Sequence, residues 1–153
     1  MSGTLPDVFD AFTELKTLTL ADDRSGLILR PNFGSIPPSV FMMPTLQLLR
    51  LSNMTLVGSI PSEIGNATYL TTLDFSTNKL VDDIPSEIGS LTRLETLSLT
   101  LNHLTGGFPT EMGDMTSLLT LQISSIFEPT LRTRPFPTFL DRVCGHFLEI
   151  ALL

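Results

Sequence analysis

Apolar residues recur along this chain with a period of 24 residues. Three columns form the pattern LxxLxL and are filled in four successive repeats: Leu46, Leu70, Leu94 and Leu118; Leu49, Leu73, Leu97 and Leu121; Leu51, Phe75, Leu99 and Ile123. Five further columns follow in each of three repeats: Leu56, Leu80 and Leu104; Ile60, Ile84 and Phe108; Pro61, Pro85 and Pro109; Ile64, Ile88 and Met112; Gly65, Gly89 and Gly113. One such unit cannot bury its own apolar face, so the pattern predicts a stack of similar coils.

Each LxL segment predicts a β-strand, because alternate side chains of a strand point to opposite faces. Leu49 and Leu51 then face inward, while Arg50 and Ser52 face outward. Neighbouring coils place their strands roughly 4.8 Å apart, which gives one long parallel sheet. Strands are expected near Leu18–Leu20, Leu49–Leu51, Leu73–Phe75, Leu97–Leu99 and Leu121–Ile123.

The segment IPSEIG predicts a different conformation on the opposite side of each coil. Proline lacks the N–H that a sheet ladder requires, and glycine suits a tight reversal. We therefore expect a short 3₁₀ turn there.

The stretch from Leu70 to Leu94, LTTLDFSTNKLVDDIPSEIGSLTRL, resembles the plant-type leucine-rich repeat pattern LxxLxLxxNxLxGxIPxxIGxL. The resemblance covers about residues 3–126. It implies an α/β fold: a right-handed solenoid with a curved parallel sheet on its concave side and 3₁₀ or irregular segments on its convex side. It also implies that Asn78 and Asn102 form a ladder, bonding backbone groups of their own and neighbouring coils. That column reads Asp23, Met54, Asn78, Asn102 and Ile126, so we expect an ideal ladder in the middle alone.

The repeat divides residues 1–153 as one leucine-rich repeat domain. Its parts are a partial repeat at 1–14, a long repeat at 15–45 with an insertion within 24–32, regular repeats at 46–69, 70–93 and 94–117, a degenerate repeat at 118–146 and a partial last strand at 147–153. The start falls inside a coil, and the family's cysteine-paired caps are absent, so we expect a fragment that self-associates through uncapped ends.

Composition narrows the classes of function. The net charge is −7 with nine scattered basic residues, which argues against nucleic-acid binding. The N-terminus does not read as a signal peptide, and no apolar stretch approaches a membrane span. Cys144 is the single cysteine, which excludes an internal disulfide and a cysteine zinc site.

Candidate catalytic chemistry is not found in the sequence. His103 and His146 are the two histidines, and neither belongs to a recognisable nucleophile–base arrangement. Asp82–Asp83 stands where sister repeats carry a glycine turn, and calcium would need more oxygen ligands than this pair supplies. We therefore predict no enzyme activity, no cofactor and no metal site.

The concave face is the predicted binding surface, as in other solenoids. Its central row is Arg50, Asp74, Ser98 and Gln122, and beside it lie Leu48, Thr72 and Thr96. Hydroxyl and amide groups there suit a peptide backbone or a sugar. Plant peptide receptors of this family often hold a carboxylate with an Arg-x-Arg pair, but the matching stretch here is Arg50–Leu51–Ser52, so that role is not carried over.

Two glycosylation sequons occur, at Asn53 and at Asn66, and both favour an extracellular or cell-surface origin. On the convex side, Glu63, Glu87 and Glu111 form an acidic column that we expect to be dispensable for binding. The resemblance implies a protein- or peptide-binding fragment of a receptor-like ectodomain. A secreted inhibitor of cell-wall-degrading enzymes and an intracellular scaffold are the alternatives.

Overall fold

The computed structural model describes residues 5–21 and 33–123, which form alternating strands and 3₁₀ helices. The elements run η1 (Phe9–Ala11), β1 (Thr17–Ala21), η2 (Pro38–Met42), β2 (Leu48–Ser52), β3 (Val57–Gly58), η3 (Ser62–Asn66), β4 (Thr72–Asp74), β5 (Lys79–Leu80), η4 (Ser86–Ser90), β6 (Thr96–Ser98), η5 (Thr110–Asp114) and β7 (Thr120–Gln122). The predicted insertion within 24–32, His146, and most of the degenerate last repeat lie outside the described residues.

Five strands form one parallel sheet in the order β1-β2-β4-β6-β7. Each strand therefore pairs with the equivalent strand of the next coil, and the register follows the sequence period from Leu49 to Leu73 to Leu97 to Leu121. This confirms the predicted parallel solenoid. In the later coils the strands end one residue earlier than expected, before Phe75, Leu99 and Ile123.

The predicted 3₁₀ turns are also confirmed. Pro61, Pro85 and Pro109 each precede one in extended conformation, with φ between −65° and −62°. Proline at this point fixes φ and leaves no N–H unpaired at the start of the turn. In η3 the first internal bond runs from the N–H of Ile64 to the carbonyl of Pro61, at 3.1 Å.

The core lies between the sheet and the 3₁₀ helices. Leu49, Leu73 and Leu97 are completely buried, and so are Ile64 and Ile88 from the opposite side of the coil. The columns that recur in the sequence are therefore the columns that fill the core, and burial of this apolar surface is the main stabilising term.

The asparagine ladder forms as the resemblance implies. The Oδ1 of Asn78 accepts the N–H groups of Met54 and Leu56, each at 3.1 Å. Its Nδ2 donates to the carbonyls of Leu51 and Phe75, at 2.7 and 2.9 Å. One buried amide thus satisfies backbone groups of two coils, which would otherwise lie unpaired away from water.

Asn102 repeats this arrangement one coil later. Its Oδ1 accepts the N–H of Leu80 at 3.1 Å, and its Nδ2 donates to the carbonyls of Phe75 and Leu99. The Phe75 carbonyl accepts a hydrogen bond from the side chain of each asparagine, so the two ladder residues are linked through one backbone group.

A second, two-stranded parallel sheet joins β3 to β5, with Val57 opposite Lys79 and Gly58 opposite Leu80. The sequence pattern does not predict this sheet. Its bonds continue past the strands, since the N–H of Val81 donates to the carbonyl of Gly58 at 3.0 Å. The coils that carry β3 and β5 are therefore joined along two separate backbone ladders.

Candidate functional site on the concave face

The parallel register brings the four residues of the predicted central row side by side. Arg50 is opposite Asp74, Asp74 is opposite Ser98, and Ser98 is opposite Gln122. Residues that are 24 positions apart in sequence thus become neighbours at strand spacing, roughly 4.8 Å. The row crosses four consecutive coils.

An ion pair occupies one end of this row. The Nε of Arg50 donates to Oδ2 of Asp74 at 3.1 Å, and Oδ1 of Asp74 accepts the N–H of Ser76 at 3.0 Å. The Arg50 side chain is 45% exposed and that of Asp74 is 17% exposed. Asp74 therefore orients the guanidinium through Nε, which leaves the fork of terminal nitrogens at the more exposed end of the pair.

Ser98 differs from its predicted role. The sequence predicts an accessible hydroxyl, but Ser98 is 6% exposed, whereas Gln122 is half-buried. Serine is the shortest side chain of the row, and the longer Asp74 and Gln122 stand beside it on the adjacent strands. Ser98 therefore offers little accessible surface in this row, whereas Arg50 is exposed and Gln122 is half-buried.

A flanking row lies beside the first. Leu48, Thr72 and Thr96 are aligned by the register and are half-buried, and Thr120 continues the row on the next strand. The three threonines present hydroxyl and methyl groups at strand spacing, next to the apolar side chain of Leu48. Two exposed leucines, Leu101 and Leu119, lie near the edges of this face, at 58% and 47% exposure.

The acidic column lies on the 3₁₀ side, away from the strands. Glu63, Glu87 and Glu111 are each the second residue of a 3₁₀ helix, and Glu63 is half-buried while the other two are exposed. Their position gives them no access to the concave row.

The two sequons differ in accessibility. Asn66 lies at the end of η3, and Thr68 of the same sequon is exposed. Asn53 is half-buried with φ of +57°, and Thr55 is only 9% exposed. Of the two predicted positions, Asn66 is the more exposed, and its Nδ2 lies 3.5 Å from Sδ of Met42.

A further contact was not predicted from the sequence. The guanidinium of Arg93 lies 4.7 Å from the centre of the Tyr69 ring, and Tyr69 is 49% exposed. Both residues stand one position before the first leucine of their repeats, so the period itself would have placed them together. A cation–π pair of this kind joins two coils at the margin of the sheet.

Membrane-spanning helices and metal-binding clusters are both absent from the described residues. No helix there has the length and apolar character needed to cross a membrane. Within the same residues, no three histidine, cysteine, aspartate or glutamate side chains are grouped as metal ligands would be. His103 is exposed.

The geometry defines a class of protein: a parallel-β solenoid with a polar strand face, a 3₁₀ back and an internal asparagine ladder. A family model for the leucine-rich repeat matches residues 45–67, 69–91 and 93–115. The chain belongs to the leucine-rich repeat family, and its repeats are of the plant type. A comparison with curated protein sequences finds no match.

Solved structures of plant proteins share the fold. The ectodomain of the Arabidopsis thaliana membrane receptor kinase GASSHO1/SCHENGEN3, in complex with CASPARIAN STRIP INTEGRITY FACTOR 2, aligns over 93% of this chain and 16% of its own, with 30% identity and a TM-score of 0.74. The Arabidopsis receptor kinase HAESA, with the peptide hormone IDA and the co-receptor SERK1, aligns over 97% of this chain and 24% of its own, with 28% identity and a TM-score of 0.78. A plant ice-binding protein aligns over 88% of this chain and 41% of its own, with 26% identity and a TM-score of 0.66. The chain thus spans less than half the length of these three proteins.

Proposed function

We propose that this chain is a non-catalytic, ligand-binding segment of a receptor-like ectodomain, and that it binds an extended peptide or protein segment on its concave face. The observation that carries the proposal is the continuous row from Arg50 to Gln122, aligned across four parallel strands. The similarity to receptor ectodomains in complex with a peptide hormone supports it. The ice-binding neighbour indicates that the fold alone does not select a ligand, so the proposal depends on this chain's own side chains.

The chemistry of the row suits a peptide backbone. The terminal nitrogens of Arg50 are donors in a planar fork, which fits a carboxylate or a pair of carbonyls. The amide of Gln122 both donates and accepts, and so do the hydroxyls of Thr72 and Thr96. Asp74 balances the charge of Arg50 and holds its side chain in place, which lowers the entropy that binding would otherwise cost.

In this role the chain lies at the cell surface as part of a larger protein. The accessible sequon at Asn66 supports an extracellular environment, and a glycan there would lie beside η3 rather than on the strands. A secreted inhibitor of cell-wall-degrading enzymes or an intracellular scaffold would use the same fold, but no contact in the described residues favours either.

Paired variants test the proposal. The probe is a library of synthetic peptides, each made with a free and with an amidated C-terminus, and binding is measured to immobilised chain. For peptides that bind, we expect Arg50→Ala/Gln122→Ala to weaken affinity by roughly tenfold or more, as for the loss of a charged and a neutral hydrogen bond. The matched back-face variant Glu63→Ala/Glu87→Ala should bind as the unmodified chain does. Loss of binding in the back-face variant, with binding kept in the concave variant, would show the assignment to be wrong.

A further inference from the structure

One exposed column on the 3₁₀ side holds an apolar residue among polar ones. The column consists of the last residues of η2, η3, η4 and η5, namely Met42, Asn66, Ser90 and Asp114, and all four are exposed. Met42 is 46% exposed. The other methionines of the described residues are each 4% exposed or less: Met43, Met54, Met112 and Met115. Packing in the core therefore does not account for a methionine at position 42.

Met42 contacts the next member of this column. The Nδ2 of Asn66 donates to Sδ of Met42 at 3.5 Å, so side chains from η2 and η3 meet at the surface. The backbone fixes where this amide lies, because the N–H of Ala67 donates to the carbonyl of Ile64 at 3.1 Å and the N–H of Thr68 donates to the carbonyl of Asn66 at 2.9 Å. Asn66 is also the attachment position of the second sequon. The atom that would carry a glycan is therefore the atom that touches Met42.

Attachment of a sugar at Asn66 is compatible with this contact. An asparagine amide carries two hydrogens on Nδ2, and an N-linked sugar replaces one of them, so one N–H remains to donate to the sulfur. The new bond joins Nδ2 to C1 of N-acetylglucosamine and has the length of other N–C single bonds, about 1.5 Å. While the two side chains keep their positions, C1 lies within about 5 Å of Sδ of Met42 for any rotation about the linkage. The first sugar is therefore held beside the sulfur.

We propose that Asn66 carries an N-linked glycan whose first N-acetylglucosamine packs on Met42 and shields its sulfur from oxidants. This rests on the extracellular location in the proposed function, because N-linked glycans are added in the secretory pathway. The donor is a lipid-diphosphate-linked oligosaccharide: the bond from C1 to the diphosphate oxygen breaks, the bond from C1 to Nδ2 forms, and Nδ2 releases a proton. Methionine suits the contact, since its unbranched thioether adapts to irregular shapes.

The sulfur of Met42 is the group that this glycan protects. Hydrogen peroxide transfers one oxygen atom to a thioether sulfur, which is oxidised by two electrons to the sulfoxide, and water is the other product. The sulfoxide is polar, so the reaction changes the chemistry of the side chain. Susceptibility follows exposure, so Met42 reacts ahead of the four buried methionines when no sugar covers it.

Peroxide oxidation followed by peptide mass spectrometry tests the proposal on the full chain, secreted behind an added signal from cells that attach high-mannose glycans. An endoglycosidase trims the glycan to one N-acetylglucosamine, so that only the first sugar can act. We expect Met42 to be oxidised at least about threefold more slowly than in Thr68→Ala, which removes the sequon but keeps Asn66 and Met42. Thr68 is exposed, so this variant should fold as the unmodified chain does. Met43 should react slowly in both chains.

A second variant moves the sugar by one coil. Thr68→Ala/Ser90→Asn places a sequon at residues 90–92, where the neighbour in the preceding coil is Asn66 instead of Met42. Met42 should then be oxidised as fast as in Thr68→Ala, although a sugar is present. An unoccupied Asn66 in the secreted chain, or equal oxidation of Met42 with and without its sugar, overturns the proposal, and so does equal protection by the displaced sugar. Peptide binding by the same chains reports separately on the concave face, so a failure of the proposed function would appear there and not in the oxidation rates.

Discussion

Asn78 illustrates how one side chain stabilises two coils. It is 6% exposed, and its amide bonds five backbone groups, those of Leu51, Met54, Leu56, Phe75 and Ser76. Its effect is unlike that of an ordinary polar contact, because truncation leaves several buried donors and acceptors unpaired at once. Each such group costs about 1–3 kcal/mol.

We therefore expect Asn78→Ala to lower the free energy of unfolding by about 3 kcal/mol or more, measured by urea denaturation. The matched control is Asn66→Ala, which alters the same residue type on the outer, 3₁₀ side of the coil and should change stability by less than about 0.5 kcal/mol. Equal effects of the two substitutions would contradict the ladder's proposed contribution.

Asp82 has a positive φ, and the equivalent positions of the other repeats are occupied by glycine. Its φ is +64°, while Gly34, Gly58 and Gly106 have φ of +74°, +80° and +73°. A side chain in this left-handed region costs free energy that glycine does not incur. Asp82→Gly should therefore raise the free energy of unfolding by roughly 0.5–1 kcal/mol, after the entropy cost of glycine.

Asp82→Ala is the control for this prediction, because it removes the carboxylate but keeps the strained backbone. Thermal unfolding of both variants separates the two causes. If alanine stabilises the chain as much as glycine does, relief of charge rather than of backbone strain is responsible.

At this scale the sequence predicted some contacts and missed others, for a physical reason. The bonds of Asn78 follow from its column, because every coil offers it the same backbone groups. The burial of Ser98 does not, because the burial of a short outward-facing side chain depends on the side chains of adjacent strands, which the repeat pattern does not report. The contact of Arg50 with Asp74 follows from the register of two neighbouring strands, which places a cation directly opposite an anion.

Among the elements, successive 3₁₀ helices pack closely enough that glycine becomes a steric requirement. A Cβ added to Gly89 in η4 would lie 2.7 Å from the Cβ of Glu111 in η5 and would collide with the Glu111 carbonyl oxygen. The matching distance from Gly65 to Glu87 is 3.1 Å, so the contact is tighter between η4 and η5 than between η3 and η4.

Gly89→Ala should accordingly destabilise the chain by about 1–3 kcal/mol, the usual cost of overpacking. Gly65→Ala should cost less, and Gly107→Ala, where nothing lies within 4 Å of the new Cβ, should cost least. Chemical denaturation of the three variants gives this order. A reversed order would mean that η4 and η5 separate freely.

The long elements of the fold were predictable because they repeat. Leucines spaced two residues apart predict the strands, and the motif IP followed by IG predicts the 3₁₀ turns. The sheet of β3 and β5 was missed because each strand has two residues, too short for any alternation to appear. Its cause is a backbone contact, the N–H of Lys79 donating to the carbonyl of Leu56 at 2.8 Å, which no side-chain pattern reports.

Across the whole molecule, the coils are interchangeable wherever their columns match. Removal of residues 70–93 brings β2 beside β6 with every column still aligned, so the shortened chain should fold. We expect cooperative unfolding with a lower midpoint, because one coil–coil interface is lost and stability sums over such interfaces. Circular dichroism during heating measures this.

The control deletion removes residues 70–81, half of the same repeat. It places polar positions of one coil against apolar positions of the next, and the cooperative transition should disappear. Retention of a sharp transition in the half-repeat deletion would mean that stacking does not depend on register.

Constant register also has a consequence for inheritance. Unequal crossing-over between two of the regular repeats at 46–69, 70–93 and 94–117 duplicates or deletes a full coil, and the reading frame and the column alignment both survive. Point substitutions at surface positions such as Arg50 and Gln122 leave the buried columns unchanged. Duplication of a coil therefore lengthens the row, and point substitution changes its chemistry. The number of coils can accordingly change by one complete coil at a time, and selection can act on each such change.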